Sequence, residues 1–397
     1  MGRARLRDLG IAIGQLPIGP HNAITDVPGV RVGHRTLIAD APRTVRTGVT
    51  MVVPRGGDIW GDYAFAGVHS FNGCGEMTGV AWIEESGMLE TPIGITNTHA
   101  VGVVRDALVA YGVEHGHVPR FTLPVVAETF DGWLNDINAF TVTQAAALEA
   151  LNAAAGGAVA EGNVGGGTGM RCHGFKGGIG TSSRVVTVAG GSFTVGALVQ
   201  ANYGAMRHLR IDGAPVGREL APRWETAEPA APSAGSIIAV IATDAPLVPT
   251  QCRRLAQRAT VGLARVGGLG HNSSGDLFLA FATGNHLPAD VPAVHEIRML
   301  PNAHLDPFFE GVADAVEESI LNALVAAETM QGFRGTLHAV PLEDRPIDLP
   351  RQPSERERGT GRHQHQHRRD GEPRGTGHRQ RDRPLQRAQV ELHERRV

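Results

Sequence analysis

Short apolar runs alternate with longer amphipathic segments along most of this chain. Six of the runs have the composition and length of strands buried on one or both faces. We predict strands at residues 48–54, 121–128, 184–190, 193–202, 236–244 and 276–284. Because only Gly191 and Ser192 separate the third and fourth runs, we predict a β-hairpin with its turn at that dipeptide.

Three longer segments repeat apolar residues with the period of an α-helix that buries one face. We predict helices at residues 143–155, 249–267 and 307–330. Opposite the apolar stripe of the second helix lie Arg253, Arg254, Arg258 and Arg265. In the third helix, Glu317 and Glu318 are expected on a solvated side. Helices whose apolar faces cover largely apolar strands imply β-sheets enclosed between helix layers.

The strand predicted at 236–244 begins abruptly. Residues 228–234 (EPAAPSA) are typical of an exposed loop, whereas Ser236 opens a run rich in Ile and Val. Ser236 is then either an ordinary turn residue or a nucleophile that attacks the carbonyl of Gly235 in an N→O acyl shift. In the second interpretation, glycine supplies the contorted backbone that such an attack needs. The freed α-amino group, whose pKa in unstructured peptides is about 7.7–8.0, then serves as general base.

Composition narrows the class of protein. The chain has 397 residues, of which 42% are hydrophobic and 19% charged, as in globular proteins. A formal net charge of −3 argues against nucleic acid as the main partner. An odd number of cysteines, Cys74, Cys172 and Cys252, does not suggest a disulfide framework. Lys176 is the only lysine, and we attribute the use of arginine at all other positions with a fixed positive charge to codon bias. Since no segment approaches a transmembrane span or a secretory signal, we predict a soluble, cytoplasmic protein with no membrane partner.

The C-terminal region has a different composition from the rest of the chain. Residues 351–397 contain 13 Arg and 7 Asp or Glu, a charge of +6, so the preceding residues carry −9. Such a segment cannot bury enough apolar surface to offset its ordering entropy, and we predict a disordered tail at 345–397. The alternatives are a nucleic-acid-binding arm and a metal site at His363, His365 and His367.

The segment EGNVGGGTGMRCHGFKGGIGTSSR, residues 161–184, is dense in glycine. It is not a phosphate-binding P-loop, because Phe175 stands where that motif needs lysine. No helix pattern follows, which excludes a dinucleotide fingerprint, so we expect close backbone approach to a ligand or to the core. Cys172 and His173 are adjacent and cannot readily share a proton, which favours a buried structural cysteine. We interpret His99 as a hydrogen-bonded histidine at a helix start.

A polar turn precedes the strand predicted at 276–284. Ser274 and Asp276 are two residues apart, so in an extended segment both side chains face the same way and can reach one site. The alternative is a simple turn that Asp276 caps.

Together these segments resemble the L-aminopeptidase/D-esterase (D-amidase) family, which includes the β-peptidyl aminopeptidases. The resemblance extends from about Gly19 to about Met330. It rests on these blocks: NAITDVPGVRVGH (22–34), FNGCGEMTG (71–79), TPIGITNTHAVGVVRDA (91–107), ETFDGWLNDIN (128–138), the glycine-dense segment, VQANYG (199–204) and GSIIAVIATDAPL (235–247).

The resemblance implies an α/β fold, an αββα sandwich analogous to N-terminal-nucleophile hydrolases and related to ornithine acetyltransferase. It also implies self-cleavage between Gly235 and Ser236. One domain would then consist of an N-terminal chain, 1–235, and a C-terminal chain, 236–344. No cofactor or metal is implied.

By the same resemblance, Asn202 supplies the oxyanion-hole amide, and Ser274 and Asp276 orient the nucleophile and its amino group. Glu128 matches a carboxylate that holds the ammonium group of the substrate. Phe130 occupies a position that is often tyrosine in the family, so the stacking surface remains and a hydroxyl donor is lost.

The leading hypothesis is a self-processing serine aminopeptidase, amidase or esterase that removes an N-terminal L-, D- or β-amino acid from short peptides, amides or esters. We expect a homo-oligomer of processed heterodimers. One alternative is an acyltransferase of the ornithine acetyltransferase type, against which a serine nucleophile argues, because that relative typically uses threonine. The other is an unprocessed ligand-binding protein.

Overall fold

The computed structural model describes residues 3–117, 121–189, 191–224 and 235–342. All of them belong to one compact unit, Met1–Gln352. The loop predicted at 228–234, the tail predicted at 345–397 and the three histidines considered as a metal site lie outside the described residues. In the part of the chain that is described, no helix combines the length and hydropathy needed to cross a membrane.

The secondary structure alternates strands and helices. The helices are α1 Val80–Ser86, α2 Val101–Glu114, α3 Gln144–Asn152, α4 Val216–Trp224, α5 Pro249–Val266 and α6 Asp306–Ala326. The strands are β1 Arg31–Ala39, β2 Val45–Val53, β3 Asp62–Gly73, β4 Met88–Leu89, β5 Ile93–Asn97, β6 Val125–Thr129, β7 Arg171–Cys172, β8 Phe175–Lys176, β9 Gly178–Val188, β10 Gly191–Asn202, β11 Ser236–Thr243, β12 Gly275–Pro288, β13 Met330–Gln331 and β14 Thr336–Leu337.

Two large sheets contain most of these strands. The smaller sheet has the order β1-β2-β5-β6, and the larger has the order β4-β3-β12-β11-β10-β9. Neighbours are antiparallel except for two parallel pairs, β5 with β6 and β11 with β12. The parallel pair β11–β12 lies at the centre of the larger sheet, so β11 is flanked by strands on both sides.

Three buried apolar clusters define the layers. One lies between the two sheets and joins Ile93 and Ile95 of the smaller sheet to Ile238, Val240 and Phe281 of the larger. The second joins the opposite face of the larger sheet to α5 and α6, and the third joins the smaller sheet to α2 and α3. The order helix, sheet, sheet, helix confirms the αββα prediction.

The predicted hairpin is present, but its turn was misplaced. Gly191 pairs with Val188 and Ser192 with Thr187, so both residues of the predicted turn belong to β10. Pairing continues this far because the register that buries Val186 and Val195 extends to the strand ends.

The prediction that Glu317 and Glu318 face solvent is wrong, because both are buried in α6. Glu318 accepts hydrogen bonds from Arg184 at 2.7 Å and from Arg7 at 2.8 Å. A buried carboxylate is tolerated when it is paired in this way, and helical periodicity does not reveal partners that lie far along the chain.

Candidate active site

Ser236 is the first residue of β11 and lies between two neighbouring strands. In the strand register Asn202 of β10 is opposite Ser236, and Asp276 of β12 is opposite Ile237. The side chain of Ser236 is buried, and the backbone N–H of Gly275 donates a hydrogen bond to its Oγ at 3.2 Å. The hydroxyl is therefore held at one end of the central strands, at the junction that the sequence singled out.

Gly235 is required for a different reason from the one expected. Its φ does not lie in the left-handed region, so a left-handed backbone is not the reason for glycine here. A Cβ atom on Gly235 would instead lie 2.3 Å from the carbonyl oxygen of Asn202 and 2.6 Å from the Cα of Tyr203. Both contacts are with backbone, which cannot move aside as a flexible side chain can. Glycine is needed because β10 passes directly against the bond before Ser236.

The side-chain amide of Asn202 is oriented by two backbone groups. Its Nδ2 donates to the carbonyl of Phe130 at 2.9 Å, and its Oδ1 accepts from the N–H of Arg171 at 2.8 Å. A primary amide nitrogen carries two hydrogens, so one N–H of Asn202 remains available after the bond to Phe130. That N–H is the donor an oxyanion beside Ser236 would need.

Ser274 and Asp276 form a buried hydrogen-bonded pair at the start of β12. The hydroxyl of Ser274 donates to Oδ1 of Asp276 at 2.6 Å, so the two side chains reach one site, as their spacing predicts. Burial raises the pKa of Asp276 to about 6, and hydrogen bonds from Ser274 and from the N–H of Ile237 partly oppose that rise. The pair is more than a turn cap, because Asp276 contacts the residue that follows Ser236.

Glu128 lies in β6 of the other sheet and is buried beside the same region. Its carboxylate accepts hydrogen bonds from the hydroxyl of Thr98 and from the N–H of Glu76, the latter at 3.1 Å. A Cβ atom on Gly75 would lie 3.0 Å from both Oε1 of Glu128 and Cα of Gly275. The carboxylate is thus next to the residue that binds Ser236. Burial raises the pKa of Glu128, and the hydrogen bonds from Thr98 and from the N–H of Glu76 partly oppose that rise.

Phe130 leaves nearly half of its surface, 46%, exposed beside this site. The ring covers Gly132, where a Cβ atom would lie 2.3 Å from Cζ of Phe130. The ring is therefore an accessible apolar surface, while its own backbone carbonyl holds the amide of Asn202.

Other residues of the site could not be found from the sequence pattern. Gly275 and Arg171 contribute backbone N–H groups, which every residue type except proline possesses and which therefore leave no signal in the sequence. Phe130 was expected as an apolar surface, but not for the backbone carbonyl that binds Asn202. Thr98 and Glu76 contact Glu128 through chain segments that are distant in sequence. Both lie in blocks quoted for the family resemblance, which was the one available signal.

Cys172, its neighbour His173, and His99 are the weaker candidates for a nucleophile and a base. Cys172 is fully buried, and burial raises its pKa to about 12, while burial lowers the pKa of His173 to about 4. The ring of His99 stacks on Phe140, and the backbone N–H of His99 donates a hydrogen bond to Oδ1 of Asn97 at the start of a short helical turn. Within the described ranges, no group of three His, Cys, Asp or Glu residues is arranged to hold a metal ion.

Comparison with known proteins supports a single family. The model of peptidase family S58 matches residues 22–338. The chain is 49% identical over 356 residues to the β-peptidyl aminopeptidase BapA of Sphingosinicella microcystinivorans, covering 85% of this chain and 89% of that protein. The fold superposes on a Burkholderia sp. β-aminopeptidase with a TM-score of 0.80, 52% identity and coverage of 85% and 96%.

A second solved structure has a more explicit description. The L-aminopeptidase D-Ala-esterase/amidase of Ochrobactrum anthropi is described as a prototype of the serine aminopeptidases and a new variant of the Ntn hydrolase fold. It matches with a TM-score of 0.79 and 46% identity, covering 85% of this chain and 96% of that one.

Proposed function

The chain belongs to peptidase family S58, and on that premise we propose that it is a self-processing serine aminopeptidase with Ser236 as nucleophile. Its similarity to the relatives identifies it as a serine aminopeptidase, amidase or esterase of that family. The observation that carries the residue assignment is the position of the Ser236 hydroxyl. It lies at the start of a central strand, with the amide of Asn202 on one strand and the N–H of Gly275 on the other.

Self-processing begins with the attack of Ser236 Oγ on the carbonyl carbon of Gly235. The C–N bond breaks, the serine nitrogen takes up the proton of the hydroxyl, and an ester links the two residues. Water then hydrolyses the ester, which leaves a carboxylate on Gly235 and restores the hydroxyl of Ser236. The new chain begins at Ser236 with a free amino group and contains the 236–344 part of the domain.

Turnover uses the same hydroxyl with the new amino group as general base. The ammonium of the substrate pairs with Glu128, which brings its first carbonyl to Ser236. Attack by Oγ passes its proton to the α-amino group, and the free N–H of Asn202 stabilises the oxyanion. The leaving amine or alcohol takes the proton, and water releases the amino acid from the acyl-enzyme. Ser274 and ionised Asp276 orient the amino group of Ser236.

The substrate class follows from Glu128 and from the relatives. A carboxylate that needs an ammonium partner selects substrates with a free amino group. In keeping with the names of the relatives, we propose short peptides, amides or esters with an N-terminal L-, D- or β-amino acid. We further propose a homo-oligomer of processed heterodimers located in the cytoplasm. Size-exclusion chromatography with light scattering and cell fractionation test these two statements.

Replacement of Ser236 by alanine tests the proposal directly. Wild type should give two bands on a denaturing gel, and the smaller should begin with Ser236 on N-terminal sequencing. Ser236→Ala should give one full-length band and no hydrolysis of amino-acyl p-nitroanilides, because the attacking oxygen is gone. The control Ser192→Ala changes an exposed serine of β10 and should process normally. Cleavage of Ser236→Ala at the same bond would mean that another residue performs the attack.

A further inference from the structure

Lys176, the only lysine of the chain, is fully buried in β8. Its Nζ donates hydrogen bonds to two backbone carbonyls, that of Gly167 at 3.1 Å and that of Gly177 at 2.7 Å. Both partners are neutral oxygens, so no opposite charge offsets the cost of burying this amine at these contacts. Because burying the amine of Lys176 is costly, we expect it to have a role that an apolar side chain of similar size could not perform.

The two carbonyls lie at the ends of one segment. Residues 168–176 between them contain the β7–β8 ribbon, in which Arg171 pairs with Lys176. The N–H of Gly177 bonds to the carbonyl of Met170 at 2.8 Å and closes the base of the ribbon. The amine therefore ties the beginning of the segment to its end.

This segment carries the group that orients Asn202. The N–H of Arg171, the first residue of the ribbon, donates to Oδ1 of Asn202. If the ribbon shifts, that N–H shifts with it, and the amide of Asn202 keeps only one of its two orienting bonds, the one to the carbonyl of Phe130. A chain of direct contacts thus runs from the amine of Lys176 through the ribbon to the amide beside Ser236.

The glycines at both ends allow the arrangement to be this tight. A Cβ atom on Gly167 would lie 2.4 Å from the N of Ile179, and one on Gly177 would lie 2.3 Å from the carbonyl oxygen of Ala201. The many glycines of the segment and its single lysine therefore contribute to the same close packing. Glycine lets the backbone approach the core, and the amine bonds the carbonyls brought there.

We propose that Lys176 is a positioning residue that holds the ribbon 171–176 so that Arg171 orients Asn202 toward the oxyanion. The inference rests on the proposed role of Asn202. It adds a residue that touches neither the substrate nor the reacting atoms.

The ionisation of Lys176 is consistent with this geometry. Burial lowers the pKa of Lys176 to about 7, and the nearby Cys172, on the paired strand β7, opposes the shift. A neutral amine has two N–H groups for the two carbonyls, whereas an ammonium ion has a third hydrogen that needs another acceptor. The titratable group that faces the amine is the thiol of Cys172.

A double-mutant cycle on the processed protein tests the proposal. Lys176→Met keeps the length of the side chain and removes its donors. It should lower kcat for an alanyl p-nitroanilide about tenfold to a hundredfold, as expected for a displaced catalytic group, and change KM little. Because the effect passes through Asn202, the variant that combines Lys176→Met with Asn202→Ala should be about as slow as Asn202→Ala alone.

Cys252→Ala is the matched control. It removes a buried thiol from α5, where the Sγ contacts the carbonyl of Phe65 in β3, and leaves the ribbon unchanged. It should lower the Tm and leave kcat near the wild-type value. An unchanged kcat in Lys176→Met, or effects of Lys176→Met and Asn202→Ala that multiply, would overturn the positioning role. A full-rate Asn202→Ala would instead contradict the proposed function at its oxyanion residue.

A measurement on wild type covers the case in which Lys176→Met does not fold. Lysine labelled with ¹³C at Cε gives a single side-chain resonance in this chain, because Lys176 is the only lysine. The resonance should titrate near pH 7. It should also shift when an aminoalkyl boronic acid forms a tetrahedral adduct on Ser236. A resonance that does not respond to the adduct would show that the ribbon is not coupled to the oxyanion site.

Discussion

Glu128 has an environment suited to a positively charged partner. Its buried carboxylate accepts two hydrogen bonds, from Thr98 and from the N–H of Glu76, yet burial still raises its pKa. A carboxylate accepts about four hydrogen bonds, so capacity remains for a further donor. A substrate ammonium would fill it and favour the ionised form.

Blocking the amino group of the substrate should therefore prevent turnover. An N-acetylated substrate has no charge and leaves Glu128 buried without its partner, which costs on the order of 3–5 kcal/mol. We expect kcat/KM for acetylated alanyl p-nitroanilide to be at least hundreds of times lower than for the free amine. Glu128→Gln should reduce the rate on the free amine far more than the rate on the acetylated form.

The pH dependence has a defined sign. Glu128 must be ionised to pair with the ammonium, so kcat/KM for the free amine should fall as the pH drops through the raised pKa of Glu128. Asp276, whose pKa is about 6, and the α-amino group of Ser236, which must be neutral to act as general base, contribute to the same acidic limb. Glu128→Gln should remove only the contribution of Glu128 from this limb. Equal rates on free and acetylated substrates in the wild type would make the protein a general amidase and remove Glu128 from its role.

At the scale of elements, β10 and β11 are in contact up to the bond at which we propose self-cleavage. The two strands pair from Val195 with Thr243 to Asn202 with Ser236, which is the last pair before Gly235. The carbonyl of Asn202 and the Cα of Tyr203 occupy the space where a side chain on Gly235 would lie. The strand pairing that forms the core therefore also fixes the position of the backbone just before Ser236.

Gly235→Ala should consequently slow self-processing. The added methyl group must push the chain before Ser236 away from β10, and a displacement of about 1 Å can cost on the order of a hundredfold in rate. The protein should still fold, because the rest of the β10–β11 register is unaffected. The measurement is the cleaved fraction over time on denaturing gels, together with the Tm.

Gly102→Ala is the control for this variant. A Cβ atom at this position in α2 meets nothing within 4 Å, so processing should match wild type and helix stability should rise slightly. Wild-type processing of Gly235→Ala would show that the close approach of β10 does not govern the reaction.

At the scale of the whole molecule, the site depends on both sheets. Glu128 comes from the smaller sheet, and Ser236, Asn202 and Asp276 come from the larger. The apolar cluster between the sheets holds these strands together through residues such as Ile95 and Ile238. The packing of one sheet against the other thus brings together the residue proposed to bind the substrate and the residues proposed to carry out the reaction.

Deletion of residues 351–397 should leave both processing and activity unchanged. The proposed site residues all lie before the end of β12, and the family model ends at residue 338. The last apolar residues packed on a described cluster are Val340 and Leu342. The measurement compares the cleaved fraction and kcat/KM of the truncated and full-length proteins. Loss of both in the truncated protein would show that the deleted segment is needed for the fold.

The sequence by itself located the elements whose pattern is strong and local. The apolar run at 236–244 and the amphipathic segment at 249–267 correspond to β11 and α5 within a residue or two. Both signals come from neighbouring residues and need no partner to be recognised. Not predicted were the short strand β5 and the extent of the helix α2, of which only a start near His99 was expected. The helix α2 is apolar on most sides and lacks a clear period.

The tertiary structure decided what depends on residues distant in sequence. The loop–strand junction indicated Ser236, but only the packing of β10 explains why Gly235 precedes it. The burial of Glu318 depends on Arg184 and Arg7, and the role inferred for Lys176 depends on two glycine carbonyls and on Asn202. Periodicity reports which face of an element is apolar. It does not report which backbone groups and charges the fold brings to that face, because those contacts exist only after the sheets have packed.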